Sequence, residues 1–233
     1  MTGTFNALIA ATLFFVGGHF LLSSLFLRQP LVRRLGERNF RIFYSVLMLA
    51  AFAWMVKAYG QAPYLVIWHP SEVLRWVPVV VMPFACLFLI AGLSTPGVTA
   101  VGGEKLLDED PRAATRGIYS ITRHPTLWAF GLWALSHLAV RGDFSSICMM
   151  GGIAFLSFFG MVHIDLRREV DLGAAWGPVR LTTSKLPFAA ILTKRCRFDL
   201  KGIGAWRIVG GVILYVALLY GHAMVIGVDA LPQ

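Results

Sequence analysis

Six apolar stretches, at roughly 5–27, 40–59, 76–95, 124–140, 145–166 and 205–228, are parted by polar or charged segments. About 20 apolar residues of helix cross the ~30 Å hydrocarbon core of a bilayer, and in lipid only helices or closed barrels satisfy their own backbone groups. Runs of this length predict an all-α, polytopic transmembrane helical bundle of about six spans, with residues 1–233 forming a single membrane domain. Composition agrees, since 57% of residues are hydrophobic and only 14% charged, against about 25% charged in soluble domains. The fourth stretch is the shortest, so it is expected to tilt little or to begin within the interface. The first has no Lys or Arg before Arg28 at its far end. It therefore lacks the basic lead of a secretory signal and is expected to remain as a span.

A net charge of +9 fits nucleic acid, anionic lipid or the flanks of membrane helices, and its distribution decides between them. Eighteen of the 21 basic residues fall in the segments after spans 1, 3 and 5, leaving Lys57, Arg75 and Arg141 for the other side. The positive-inside rule then places those segments in the cytoplasm and both termini in the periplasm of a bacterial inner membrane. Topology accounts for the charge, and without interleaved aromatics nucleic acid is excluded as a partner. Cys86 and Cys148 lie in spans and Cys196 in a loop, so neither a C-x-x-C pair nor a disulfide framework is present. The loops after spans 3 and 5, of about 28 and 37 residues, are long enough to suggest function. Within the second, Pro187 to Leu192 reads as a short interfacial stretch.

Ionisable groups inside spans are costly and mark candidate sites. His19 lies deep in span 1, His137 deep in span 4 and His163 near the cytoplasmic end of span 5. His124 opens span 4, His69 lies in a periplasmic loop and His222 in span 6. Each is either a neutral imidazole bonded to a neighbouring helix or a ligand. Paired histidines on adjacent membrane helices suit a haem, whose apolar ring belongs between helices. Gly17 and Gly18 beside His19 would admit a flat ring, or simply a close helix. By helix rise, His19 and His137 differ in depth by about 8 Å, within the boundary error, and His163 is a rival partner for His19. At the cytoplasmic surface, Arg123, His124 and Pro125 start span 4, and Asp165, Arg167, Arg168, Glu169 and Asp171 end span 5. They read either as solvated helix ends or as a pocket holding a haem propionate on Arg123 or Arg168, or a nucleoside cofactor.

The run DPRAATRGIYSITRHPTLWAFGLWALSHLAVRGD at 110–143, GGHFLLSS in span 1 and HIDLRRE at the end of span 5 resemble the NnrU family of bacterial membrane proteins, over about 5–195. The resemblance leaves a further C-terminal span at about 205–228. It implies a link to nitrite and nitric oxide reduction in denitrification, with denitrification reductases or a hydrophobic small molecule as partners. The chain also resembles the 15-cis-zeta-carotene isomerases, which bind haem b through two histidines. Residue by residue that implies His19 and His137 as metal ligands. The isomerases carry a cysteine three positions before the second ligand, where this chain has Ala134. A more distant resemblance, to the isoprenylcysteine carboxyl methyltransferases, implies that Arg123, His124 and Glu169 hold S-adenosylmethionine; that family shows paired glutamates where Glu169 here follows Arg168. The leading expectation is a haem-binding membrane protein with isomerase-like or redox-sensing chemistry. A methyltransferase and a non-enzymatic assembly factor for a denitrification complex are the alternatives.

Overall fold

The computed structural model describes residues 3–95, 97–100, 103, 106 and 114–232, and it is helical, with no strand among them beyond an isolated bridge between Val66 and Asp143. Lys105, Arg112 and the 110–113 portion of the loop motif lie outside the described residues. Helix α1 runs Phe5–Ser23, capped by the Thr4 hydroxyl, which accepts from the Ala7 N–H at 3.2 Å. The expected first span of 5–27 stops short because Ser24 adopts extended backbone and bonds Leu21 O through both its N–H and its hydroxyl. Serine competes with the helix in this way through its own side chain. The same residue caps α2, Leu25–Leu35, whose Arg28, Arg33 and Arg34 make it a polar continuation of the span.

Helix α3 is Glu37–Gln61, a four-residue α4 at Glu72–Arg75 leads into α5 at Val77–Ser94, and α6 is Pro125–Arg141. Helix α7 is Phe144–Leu172. Three short helices follow, α8 at Trp176–Thr182, α9 at Ala189–Leu192 and α10 at Leu200–Ile203, before α11 at Ala205–Ile226. Helices α1, α3, α4 with α5, α7 and α11 are long and apolar enough to cross a membrane. Helix α6, with 17 residues, spans only ~26 Å, but it packs along both α5 and α7.

Side-chain register fixes the directions. Gly3 N–H bonds Gln61 O at 3.2 Å, so α1 and α3 are antiparallel. Phe5 meets Phe144, Thr12 meets Gly152 and Ser23 bonds His163, so α1 and α7 run the same way. Gly92 lies against Thr126, which makes α5 and α6 antiparallel, and Arg207 bonds Ser94 where α11 starts beside the end of α5. The α6–α7 turn is tight. Gly142 sits at φ +63°, where a side chain would also strike the Trp68 carbonyl, and Asp143 caps α7 by accepting from Ser146 N–H at 2.9 Å. Helix α7, with 29 residues, is ~44 Å long, which lifts its last turns out of a ~30 Å core. The buried core is a cluster of small and flexible side chains, Leu8, Ala11, Met55, Ala134 and Met150 among them, that ties α1, α3, α6 and α7 together.

Candidate functional site

Helices α1, α3, α5, α6 and α7 leave a cavity of about 770 Å3 between them, within the roughly 300–1,000 Å3 typical of small-molecule sites. Its walls are aromatic and aliphatic, with Phe15 and Phe20 from α1, Phe52 from α3, and Phe130 and Trp133 from α6. Polar groups concentrate toward the end formed by the C-terminal turns of α1 and the start of α3: His19, Ser23, Tyr44 and His163, and then Arg28, Glu37, Arg41 and Arg167 at the mouth. Arg28 and Arg41 share the Glu37 carboxylate at 2.7 and 2.8 Å.

The local hydrogen bonds fix the histidine tautomers. His19 Nδ1 lies 2.8 Å from the Phe15 carbonyl; a carbonyl only accepts, so Nδ1 carries the proton and Nε2 keeps a lone pair. Its ring is held edge-on by Phe15 at 4.5 Å and Tyr44 at 5.7 Å. The Ser23 hydroxyl donates its one proton to His19 O, so toward His163 it accepts, and His163 Nε2 donates to it at 2.9 Å. His163 therefore keeps its lone pair on Nδ1. His137 donates Nδ1–H to the Trp133 carbonyl at 2.8 Å, leaving Nε2 open. His19 and His137 thus have one ring nitrogen anchored on a carbonyl and the other left as a lone pair, the arrangement found in metal-bound histidines, while His163 is anchored on a hydroxyl, and in that respect the donors present fit a haem iron.

Placement separates the candidates. His19 and His163 line the one cavity, and His137 is not among the described residues that do. Leu127 lies against Gly160 and Phe158 against Gly131, a register that sets His137 near the level of Met150 and Ala10. That level is about 12 Å along the bundle from His19, whereas His163 is about one helical turn from it. His69 and His222 lie elsewhere, His69 exposed in the α3–α4 loop and His222 bonded to Val228 O at 2.6 Å.

The charged constellation at the start of α6 and the end of α7 forms a lock. Asp165 takes Arg123 in a bidentate pair at 2.6 and 3.0 Å and His124 Nε2 at 2.8 Å, all three being buried, with Lys185 at 3.9 Å. Arg123 also donates its N–H to Ser184 O at 2.9 Å and lies over the Trp176 ring. The lock thus clamps α6, α7 and the segment after α8. Arg168 is fully buried and donates to Ala100 O at 2.6 Å, and Glu169 is exposed and faces Arg180 at 3.4 Å. The four candidate cofactor residues Arg123, His124, Arg168 and Glu169 are therefore not brought onto one cavity. Sequence reading overlooked Ser23 and Tyr44 as site residues. Ser23, four residues after His19 and so on the same helical face, carried a signal; Tyr44 carried none, because it arrives from another helix.

The fold and cavity define a polytopic helical membrane protein with a ligand-sized, aromatic-walled chamber that holds two histidines. This chain belongs to the NnrU family: the family model described as NnrU protein matches residues 7–230, and so runs through α11. Among curated proteins it is similar to the chloroplastic 15-cis-zeta-carotene isomerase of Zea mays, at 33% identity over 79 residues. That is 34% of this chain and 22% of the maize protein, so the chain spans well under half the length of its relative. No solved structure matches the chain.

Proposed function

We propose that this protein binds haem b in the cavity between α1, α3 and α7, with His19 as an axial ligand, and serves nitric oxide or nitrite metabolism in a bacterial inner membrane. The observation that carries the reading is His19 itself, whose Nδ1–H is fixed on Phe15 O and whose Nε2 lone pair belongs to a ring lining a cavity of about 770 Å3. The resemblance selects His137 as the second ligand; the shared cavity favours His163. Arg167 at the mouth, 3.8 Å from Asp171, suits a carboxylate of an amphipathic ring, whereas Arg28 and Arg41 already share Glu37. The name of the maize relative supports an apolar ligand for this chamber.

Bound haem would supply an iron able to change redox state or take a diatomic ligand. The chain's own part follows from its residues. Phe15 O orients the His19 imidazole, Tyr44 and Phe15 restrict its rotation, and Phe20, Phe52 and Trp133 keep water from the chamber. S-adenosylmethionine has less support, since Arg123 and His124 are both committed to Asp165.

The test is the absorption spectrum of protein purified in mild detergent and reconstituted with haem. A Soret band that is lost in His19→Ala and in His163→Ala but kept in His137→Ala assigns the pair within the cavity. Loss in His137→Ala and retention in His163→Ala assigns the pair drawn from the isomerases. The absence of any band in the wild type removes the haem reading.

A further inference from the structure

A second depression, of about 480 Å3, opens on the cytoplasmic side between the turn before α6 and the loop after α9, lined by Arg116, Arg195 and Arg197 with the hydroxyls of Thr115 and Thr182. Three guanidinium groups face a single carboxylate, Asp199, and that carboxylate is directed to backbone, accepting Gly117 N–H at 2.8 Å and Gly202 N–H at 2.9 Å. Arg195 is held in place by the carbonyls of Leu181 and Thr183 at 2.9 and 3.0 Å, which fixes its position and leaves its charge uncompensated. Among the described residues, the guanidiniums of Arg116 and Arg197 form no hydrogen bond and no salt bridge, although the charge of Arg116 is felt by Asp199. Several other arginines are matched with acids, Arg28 and Arg41 with Glu37, Arg123 with Asp165, and Arg180 with Glu169, whereas the exposed Arg33 and Arg34 of α2 are not gathered around a depression. Cys196 lies in the same depression but donates its thiol hydrogen to Ser120 O at 3.4 Å, and burial pushes that thiol up, which disfavours the thiolate.

Beside the depression the surface is apolar. Leu192 is 79% exposed, and Phe198 and Leu200 are about half exposed. Phe188, which opens α9, bonds Ile121 O next to the start of α6, so these side chains sit at the cytoplasmic rim of the bundle. Unmatched arginines with an apolar fringe at a membrane rim match the chemistry of a phosphate group carrying acyl chains.

We propose that Arg116, Arg195 and Arg197 form a phosphate site that holds the headgroup of an anionic phospholipid of the cytoplasmic leaflet, with the acyl chains along Leu192 and Phe198. The guanidiniums bind the phosphate oxygens through charge-assisted hydrogen bonds, and the bound lipid holds α9 against the rim.

Native mass spectrometry of the protein in mild detergent, mixed with phosphatidylglycerol or phosphatidylcholine, tests this. The wild type should retain phosphatidylglycerol about tenfold better, and Arg116→Gln with Arg197→Gln should abolish the preference. Arg33→Gln with Arg34→Gln, which removes the same charge from α2, should keep it. Circular dichroism checks that each variant folds, and Arg197→Gln alone, at an exposed side chain, serves if the double variant does not. Equal retention of the two lipids, or equal loss in the α2 variant, overturns the proposal. Titration with inorganic phosphate, followed by 31P NMR, separates the sources. Phosphate binding that needs Arg116 and Arg197 without any lipid preference overturns the lipid assignment in favour of a free phosphate ligand.

Discussion

Asp165 gathers Arg123, His124 and Lys185 at the end of α7, and its two oxygens are shared between them with Arg123 and His124 within 3.2 Å. Removing one partner of a buried pair leaves the other charge desolvated, which costs about 3–5 kcal/mol. Asp165→Ala should therefore lower the melting temperature in detergent far more than Glu169→Ala, whose pair with Arg180 is exposed and worth about 0–1 kcal/mol. Equal effects would show that Asp165 is not a lock. Asp199 offers a test in pH. Donation by Gly117 N–H, then by Gly202 N–H, holds its carboxyl below the usual range, which is about 3.9. A carboxyl depressed in the folded state stabilises above its unfolded value, and the contribution fades as pH falls through the folded one. Melting curves of the wild type and Asp199→Ala should thus differ most above about pH 4, and the gap should narrow as the pH falls below that. A constant gap across that range would contradict the assignment.

Helix α11 shows how an element with little buried surface is held. Its contact with α5 depends on glycine: a Cβ at Gly211 would lie 2.9 Å from Leu87 Cα, which is backbone and cannot swing aside, whereas one at Gly210 would meet only a methyl of Ile90 at 3.3 Å. Close approach through small residues is the usual basis of helix association in lipid, where burial of apolar surface supplies no drive. Gly211→Ala should destabilise by about 1–3 kcal/mol. Gly221→Ala, with open space around it, should be neutral or stabilising. Thermal melts of the two variants check this, and matching melts would mean that α11 is held elsewhere, for instance by Arg207 on Ser94.

For the whole molecule, the antiparallel and parallel pairings give six crossings if α6 is included, and these return the chain to the side where it began. Alkaline phosphatase fused after Gln233 should be active, and a fusion after Arg195 inactive, because the loops rich in Lys and Arg stay in the cytoplasm. An inactive fusion at Gln233 would mean that α6, at 17 residues, does not cross.

Helix number, approximate span limits and the distribution of charge were legible in the sequence because each follows from local composition measured against bilayer thickness. The breaks at Ser24 and Gly142 also have local causes, in side-chain competition and positive φ. The grouping of residues was not legible to the same degree. His19, His137 and His163 each look like an intramembrane ligand in sequence, and depth counted along single helices leaves two pairings open. Packing register adds what depth lacks, since it sets Leu127 against Gly160, and His19 and His163 then line the chamber while His137 is not among the described residues that do. Arg123 and Asp165, 42 residues apart, similarly read as two solvated helix ends until the bundle closes and makes them one buried pair. The sequence by itself thus determined that the chain lives in lipid and which side its charges favour, because those are sums over neighbouring residues. Which histidines line one cavity, and which charges cancel, only the tertiary structure decided, because both depend on distances between helices that no local pattern encodes.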